Sequence, residues 1–302
     1  MQGQRFLFYS HNKGHLMLDL NNKDDRDKLE ELITDDINQF CSTYYEQGHR
    51  KHLGASTLGE ECWRKLWYEF RWTKREVFDG RMMRLFNVGH SAEPRFVTYL
   101  KGIGFEVKEF DENGKQFRIS GAKGHYGGSL DGMCKAPKRY QLFEDIIFLN
   151  EFKTNGTGSG FNEVETKGLQ KAKPRHFAQM SQYGYKLNLK YGLYLIENKN
   201  DSQITIKIIV LDWNLGAQME RKAEEIIFAK EPPPRISDNP AFQNCKWCHQ
   251  SDICHKGEQP EKNCRSCRQC SPIEKGQWHC SKFNAIVPDD FIPIGCPDWL
   301  PI

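Results

Sequence analysis

The chain has 302 residues, 43 lysines and arginines against 40 aspartates and glutamates, a formal charge of +3, and 38% hydrophobic residues. That length can bury a substantial core, while so small a charge excludes bulk attraction to a polyanion and leaves any nucleic-acid contact to local basic clusters. No signal peptide and no membrane-spanning apolar run is read from it, which predicts a cytoplasmic protein, and there eleven cysteines point to metal ligation rather than disulfides.

Residues 1–50 form an N-terminal extension: an apolar opening stretch RFLFYS, a charged helix candidate DDRDKLEELITDDINQF and a polar connector, with no recognisable chemistry. Thr57 and Glu60 then read as a capping box for a helix that carries Cys62, and Trp63, Trp67 and Phe70 recur at helical spacing as core residues. Base stacking is the sharper alternative for the tryptophans. In FNVGHSAEPRF, His90 and Glu93 share a helical face, which requires Pro94 at a helix start or a kink. Residues 105–119 predict a hairpin around DENG, leading into GAKGHYGGSLDGM, where glycines allow close backbone approach beside Asp131.

Residues 146–152, IIFLNEF, predict a largely buried strand. A buried strand should not end in a carboxylate and a lysine without a partner, and the partner is either a metal ion or a simple ion pair. Asp131 in GGSLDG and Glu151 in LNEFK supply two carboxylates that can share a hard divalent cation. Lys153, two residues on, projects from the same strand face.

The segment TKGLQKAKPRHF brings Lys167, Lys171, Lys173, Arg175 and His176 together before a helix whose first turn holds Pro174. The positive end of that helix, beside the predicted strand, suits a phosphate, and an exposed lysine loop is the plainer reading. On the helix, Gln179 and Tyr183 stand four residues apart and share a face. Two strands, YGLYLIENKN and ITIKIIVLD, and an amphipathic helix, LGAQMERKAEEIIFAK, follow. EPPPR reads as a hinge into a cysteine-rich tail. No nucleophile elbow, P-loop or dinucleotide fingerprint occurs, which argues against covalent catalysis, nucleotide hydrolysis and hydride transfer.

Two cysteine groups can be parsed. Cys245, Cys248 and Cys254 give C-x2-C-x5-C and need a fourth ligand, which His249, His255 or a distant cysteine could provide. Cys264, Cys267, Cys280 and Cys296 give four thiolates for zinc in a segment too poor in apolar residues to build a core unaided. Cys270 forms a second C-x2-C with Cys267, so the first ligand pair has two registers, and His279 is a further substitute.

In order, Asp131, Glu151-x-Lys153 and Gln179-x3-Tyr183 resemble the PD-(D/E)XK nucleases, in the branch of the RecB nuclease domain and phage recombination exonucleases, over residues 51–260. The resemblance implies an α/β fold of restriction-endonuclease type, a central mixed sheet flanked by helices. It implies Mg or Mn held by Asp131, Glu151 and the Phe152 carbonyl, with His90 or Glu93 as an additional ligand. Lys153 would orient the attacking water or stabilise negative charge, and Gln179 and Tyr183 would hold a DNA phosphate or orient the lysine. GASTLGEECWRKLWYEF is similar to the N-terminal cysteine helix of iron-sulfur nucleases, so Cys62 would join Cys245, Cys248 and Cys254 around a 4Fe-4S cluster, zinc being the alternative.

Three parts are therefore expected: the extension, a nuclease core over 51–260, and a zinc module over 261–302. The activity the resemblance implies is DNA exonuclease action that resects duplex ends so that a single-strand annealing protein can load. Lys167, Lys171, Lys173 and Arg175 would contact DNA. A CRISPR-adaptation or repair nuclease acting on single strands, and an inactive zinc-stabilised DNA-binding protein, are the alternatives.

Overall fold

A computed structural model describes residues 17–46, 48–142 and 145–302, so the RFLFYS stretch lies outside the described residues. The described residues form two units, 17–46 with 78–85 and 48–77 with 86–302. In the first, α1 (Lys23–Tyr44) begins where the Asn22 side chain accepts from the Asp24 N–H at 3.0 Å, as the charged candidate segment predicts. Gly80 abuts the main chain of Asn38 there, and a Cβ would stand 2.0 Å from that carbonyl oxygen, so only glycine fits.

In the second unit the elements run β1 (Leu53–Gly54), α2 (Trp63–Phe70), α3 (Gly80–Gly102, entering from the first unit), β2 (Glu106–Lys108), β3 (Arg118–Gly121), β4 (Tyr126–Ser129), β5 (Met133–Lys135) and β6 (Ile147–Asn155). Then come α4 (Asn162–Lys167), α5 (Leu169–Ala172), α6 (Pro174–Leu187), β7 (Tyr191–Asn198), β8 (Ile204–Val210), α7 (Trp213–Phe228), α8 (Gln243–Lys246), β9 (Cys270–Pro272), β10 (Trp278–Cys280) and β11 (Ala285–Val287). The central sheet has the order β2-β5-β6-β7-β8, antiparallel except for the parallel β6–β7 step. The mixed α/β class is as expected.

The side-chain period of two decides what each face of β6 meets. Leu149 packs with Met180, Tyr183, Tyr194 and Ile196 on the side of α6. Phe148 and Phe152 pack with Leu193, Leu195, Phe96 and Leu100 on the side of α3. Glu151 and Lys153 share the Leu149 face and are directed at α6, while the helices on both sides remove the strand from water.

The tail packs into the main core through its own side chains. Cys267, Cys270, Trp278 and Ile292 belong to the same buried cluster as Trp67 and Phe70. Arg71, 4% exposed, donates to the carbonyls of Cys270 (3.1 Å) and Cys267 (3.2 Å). The Arg265 guanidinium lies 4.4 Å from the Phe70 and Trp72 rings and 4.7 Å from Trp278. Two buried arginines thus stitch the cysteine-rich strands β9 to β11 onto α2.

Five local expectations are corrected. Thr57 and Glu60 do not form a capping box: Cys62 caps α2 without a side-chain bond, Thr57 Oγ1 donates to the Gly54 carbonyl, and the Glu60 carboxylate is taken by Lys65 at 2.9 Å and Arg175 at 2.7 Å. Of the two places the sequence allowed Pro94, the helix start is ruled out, because α3 runs through it, forgoing the bond a residue there would make to the His90 carbonyl. The DENG hairpin is reduced to one bridge, Phe110 with Gln116, since its arms diverge into β2 of the central sheet and β3 of a sheet ordered β1-β4-β3. EPPPR is pinned rather than hinge-like, with Arg64 Nε donating to the Pro233 carbonyl at 2.6 Å. Trp67 and Phe70 are buried as predicted, whereas Trp63 is 36% exposed under a cation–π contact from Lys222. Among the described residues no helix is long and apolar enough to cross a membrane.

Candidate active site

β6 delivers two of the candidate groups and the turn after β4 the third. Asp131 Oδ2 accepts the Phe152 N–H at 2.8 Å, which locks the turn to β6 one residue from each key side chain. Lys153 Nζ contacts Glu151 Oε1, lies 3.9 Å from Asp131 Oδ2 and donates to the Phe152 carbonyl at 2.9 Å. The three side chains named from the sequence are therefore together, and the ammonium sits among them.

From α6, Gln179 Nε2 donates to Glu151 Oε2 and lies against the Tyr183 hydroxyl, both at 3.3 Å, and Tyr183 OH donates to the Ser129 carbonyl at 2.9 Å. The four-residue spacing does what one helical face allows: one side chain holds the carboxylate and the next ties the helix to the end of β4. This approach needs Gly128, where a Cβ would meet the Tyr183 hydroxyl oxygen at 2.5 Å.

Charge crowding follows from this geometry. Burial raises Glu151 to about 7, with Asp131 and Glu93 adding to the effect and Lys153 opposing it. Burial likewise raises Glu93 to about 7, Asp131 adding and Lys153 opposing. Burial works to lower Lys153, but Glu151 and Asp131 more than offset it and its net shift is upward. Glu93 of α3 is thus electrically part of the site, while His90, one turn before it, is exposed.

The basic segment is partly committed within the chain. Pro174 takes the first turn of α6 as predicted. Arg175 is bound to Glu60, and Lys167 pairs with Glu163 at 2.8 Å. Lys171 is exposed, and Lys173 precedes α6 as its N-cap.

Both cysteine groups are gathered. Cys62, Cys245, Cys248 and Cys254 line one pocket with Arg64, Lys65, Arg235 and His255. His249 instead lies 3.9 Å from Glu69 and 3.6 Å from Glu76. Cys264, Cys267, Cys280 and Cys296 line a second pocket that Cys270 shares, and none of the eleven cysteines is in a disulfide. Among the described residues no group of three or more histidine, cysteine, aspartate or glutamate side chains is already disposed to hold a metal ion.

Sequence reasoning missed three contributors. The Ser129 carbonyl and the Glu60 carboxylate have no sequence signal. The bond between His176 Nδ1 and the Tyr194 hydroxyl, 2.9 Å, did leave one, since residues 176, 179 and 183 fall on one helical face.

No family model matches the sequence, and no curated protein matches it. Among solved structures, LHK-Exo in complex with dAMP is 18% identical, with a TM-score of 0.42 over 58% of this chain and 86% of its own. An alkaline exonuclease, LHK-Exo from Laribacter hongkongensis, gives 18% and 0.40 over 61% and 89%. The structure of SSO0001 gives 17% and 0.37 over 76% and 93%. Likeness at this level assigns no activity, and the side chains described above have to carry it.

Proposed function

We propose that the chain is a metal-dependent deoxyribonuclease that hydrolyses phosphodiester bonds, acting as an exonuclease on duplex ends. The observation that carries this is the convergence of Asp131, Glu151 and Lys153 across two segments 20 residues apart in sequence. The carboxylates and the carbonyl on offer there are oxygen ligands, which suit a hard divalent cation, with the Lys153 ammonium beside them, and two carboxyls that burial and neighbouring carboxylates raise to about 7 are what such a cation relieves. Glu93, Asp131, Glu151 and the Phe152 carbonyl would hold Mg or Mn. When bound, the ion lowers the pKa of a ligated water and polarises the scissile phosphate.

The protein's own groups do the rest. Lys153, kept cationic by its two carboxylates, stabilises negative charge developing on the phosphate or orients the attacking water. Gln179 fixes Glu151, and Tyr183 fixes α6 against β4, so the carboxylate does not swing when α6 meets substrate. Lys171 and Lys173, beside the N-terminus of α6, would meet the DNA backbone.

The two cysteine pockets fit thiolate-bound metals by donor chemistry: 4Fe-4S at Cys62, Cys245, Cys248 and Cys254, with zinc as the alternative, and zinc at Cys264, Cys267, Cys280 and Cys296. In this reading a single-strand annealing protein is the partner that receives the resected end, as in phage-type recombination.

The test is Mg-dependent digestion of end-labelled linear, circular and single-stranded DNA by the parent and by Asp131→Ala and Lys153→Ala. Linear duplex should be shortened from its ends by the parent, with losses of about a thousandfold or more in both variants. A parent that binds DNA without metal-dependent cleavage, or variants as active as the parent, would discard the enzymatic reading.

A further inference from the structure

The chain between β1 and α2 is pressed onto the first turn of α6. The buried Lys222 of α7 donates to the carbonyls of Leu58 at 2.9 Å and Glu60 at 2.5 Å, which pins that stretch from behind. At Gly59 a Cβ would stand 2.8 Å from the Arg175 Cα, so the two main chains meet with no side chain between them. The buried Glu60 carboxylate closes the junction. Its Oε2 takes two cations, Lys65 Nζ of α2 at 2.9 Å and Arg175 Nη2 of α6 at 2.7 Å, while its Oε1 accepts the Glu61 N–H at 3.1 Å.

We propose that Glu60 is a positioning residue for cleavage, holding the first turn of α6 through Arg175 so that Gln179, one turn further on, stays against Glu151. This rests on the nuclease reading of Asp131, Glu151 and Lys153. Arg175 and Gln179 stand four residues apart on one face of α6, and a helix carries a displacement of its first turn into the next. Gln179 Nε2 reaches Glu151 Oε2 at 3.3 Å. That is the long end for an amide donor, so a small outward movement of the helix breaks the bond.

Burial works against the ionised form of Glu60, but Lys65 and Arg175 more than offset it, so the carboxylate lies below its ordinary range and is charged at neutral pH. The rival role for Arg175 is contact with DNA, Glu60 merely tempering its charge. The two roles predict opposite effects of neutralising Glu60. If Arg175 served DNA, losing the nearby anion would strengthen binding and spare turnover, whereas loss of a tie to α6 lowers turnover.

Glu60→Gln keeps the shape and removes the charge, Arg175→Met keeps the stem and removes the donors, and Arg175→Lys keeps a donor and the charge. In steady-state cleavage of linear duplex, kcat should fall about tenfold in Glu60→Gln and Arg175→Met with KM little changed, and Arg175→Lys should retain most of it. Unchanged kcat with tighter DNA binding in Glu60→Gln, or a loss confined to KM in Arg175→Met, would overturn the proposal. Amide hydrogen exchange of the metal-free protein, which needs no activity, should quicken over α6 in Glu60→Gln while β7 keeps the parent's protection. Protection of α6 equal to the parent's would refute the tie even if cleavage fell, whereas a loosened α6 in a protein whose parent does not cleave would support the tie and fault the nuclease reading alone.

Discussion

At Glu151 the surroundings oppose the ionised form: it is 1% exposed on its side chain, flanked by two further carboxyls, and offset by one ammonium. With its folded pKa near 7 against 4.5, and Glu93 shifted alike, the native state holds protons the unfolded chain has released. The sign follows from linkage: the stabilisation is complete below about 4.5 and is lost as pH rises through about 7. Metal-free protein should therefore lose stability across that window in urea titrations, and Glu151→Gln should flatten the loss. Added Mg or Mn should restore stability above it. Stability independent of both pH and divalent cation would show that the carboxyls are not crowded as described.

α6 is the element on which the site is assembled, because one helical stripe touches β7, β6 and β4 in turn. Its closeness to β4 depends on the missing side chain at Gly128, so Gly128→Ala should force the Tyr183 hydroxyl and the helix outward at a cost of about 1–3 kcal/mol. Adding Tyr183→Phe, which removes the clashing oxygen, should recover stability in denaturant melts without recovering kcat, since the tie to Ser129 is then gone. Additive stability losses in the double variant would remove this contact from the account. The Gln179 and Tyr183 spacing was readable in the sequence, as was the strand bearing Glu151 and Lys153. Which carboxylate Gln179 reaches, and that Tyr183 bonds the carbonyl at the end of β4, were not readable. Those partners come from the order of strands, which local sequence does not encode.

On the scale of the whole molecule, residues 261–302 behave as part of the core. Arg71 spends two donors on the Cys267 and Cys270 carbonyls, and Trp278 is 1% exposed. Truncation after residue 260 should therefore leave a buried guanidinium without acceptors and an apolar face open to water, rather than a freestanding nuclease. Calorimetry of the truncated chain should show no cooperative transition near that of the full chain. A truncation that melts like the parent would show residues 261–302 to be an appended module.

The sequence by itself determined the chemistry on offer: Asp131, a buried strand ending in Glu151 and Lys153, a helix with Gln179 and Tyr183 on one face, and cysteines in ligand spacing. These are local periodicities and residue types, which short segments carry without help. Only the tertiary structure decided that Glu60 binds Arg175 instead of capping a helix, that Glu93 shares the field of Asp131 where His90 is left exposed, and that the cysteine-rich tail joins the main core. Each of those outcomes is a competition among partners distant along the chain. The outcome is settled by which groups the packed sheet and helices remove from water together.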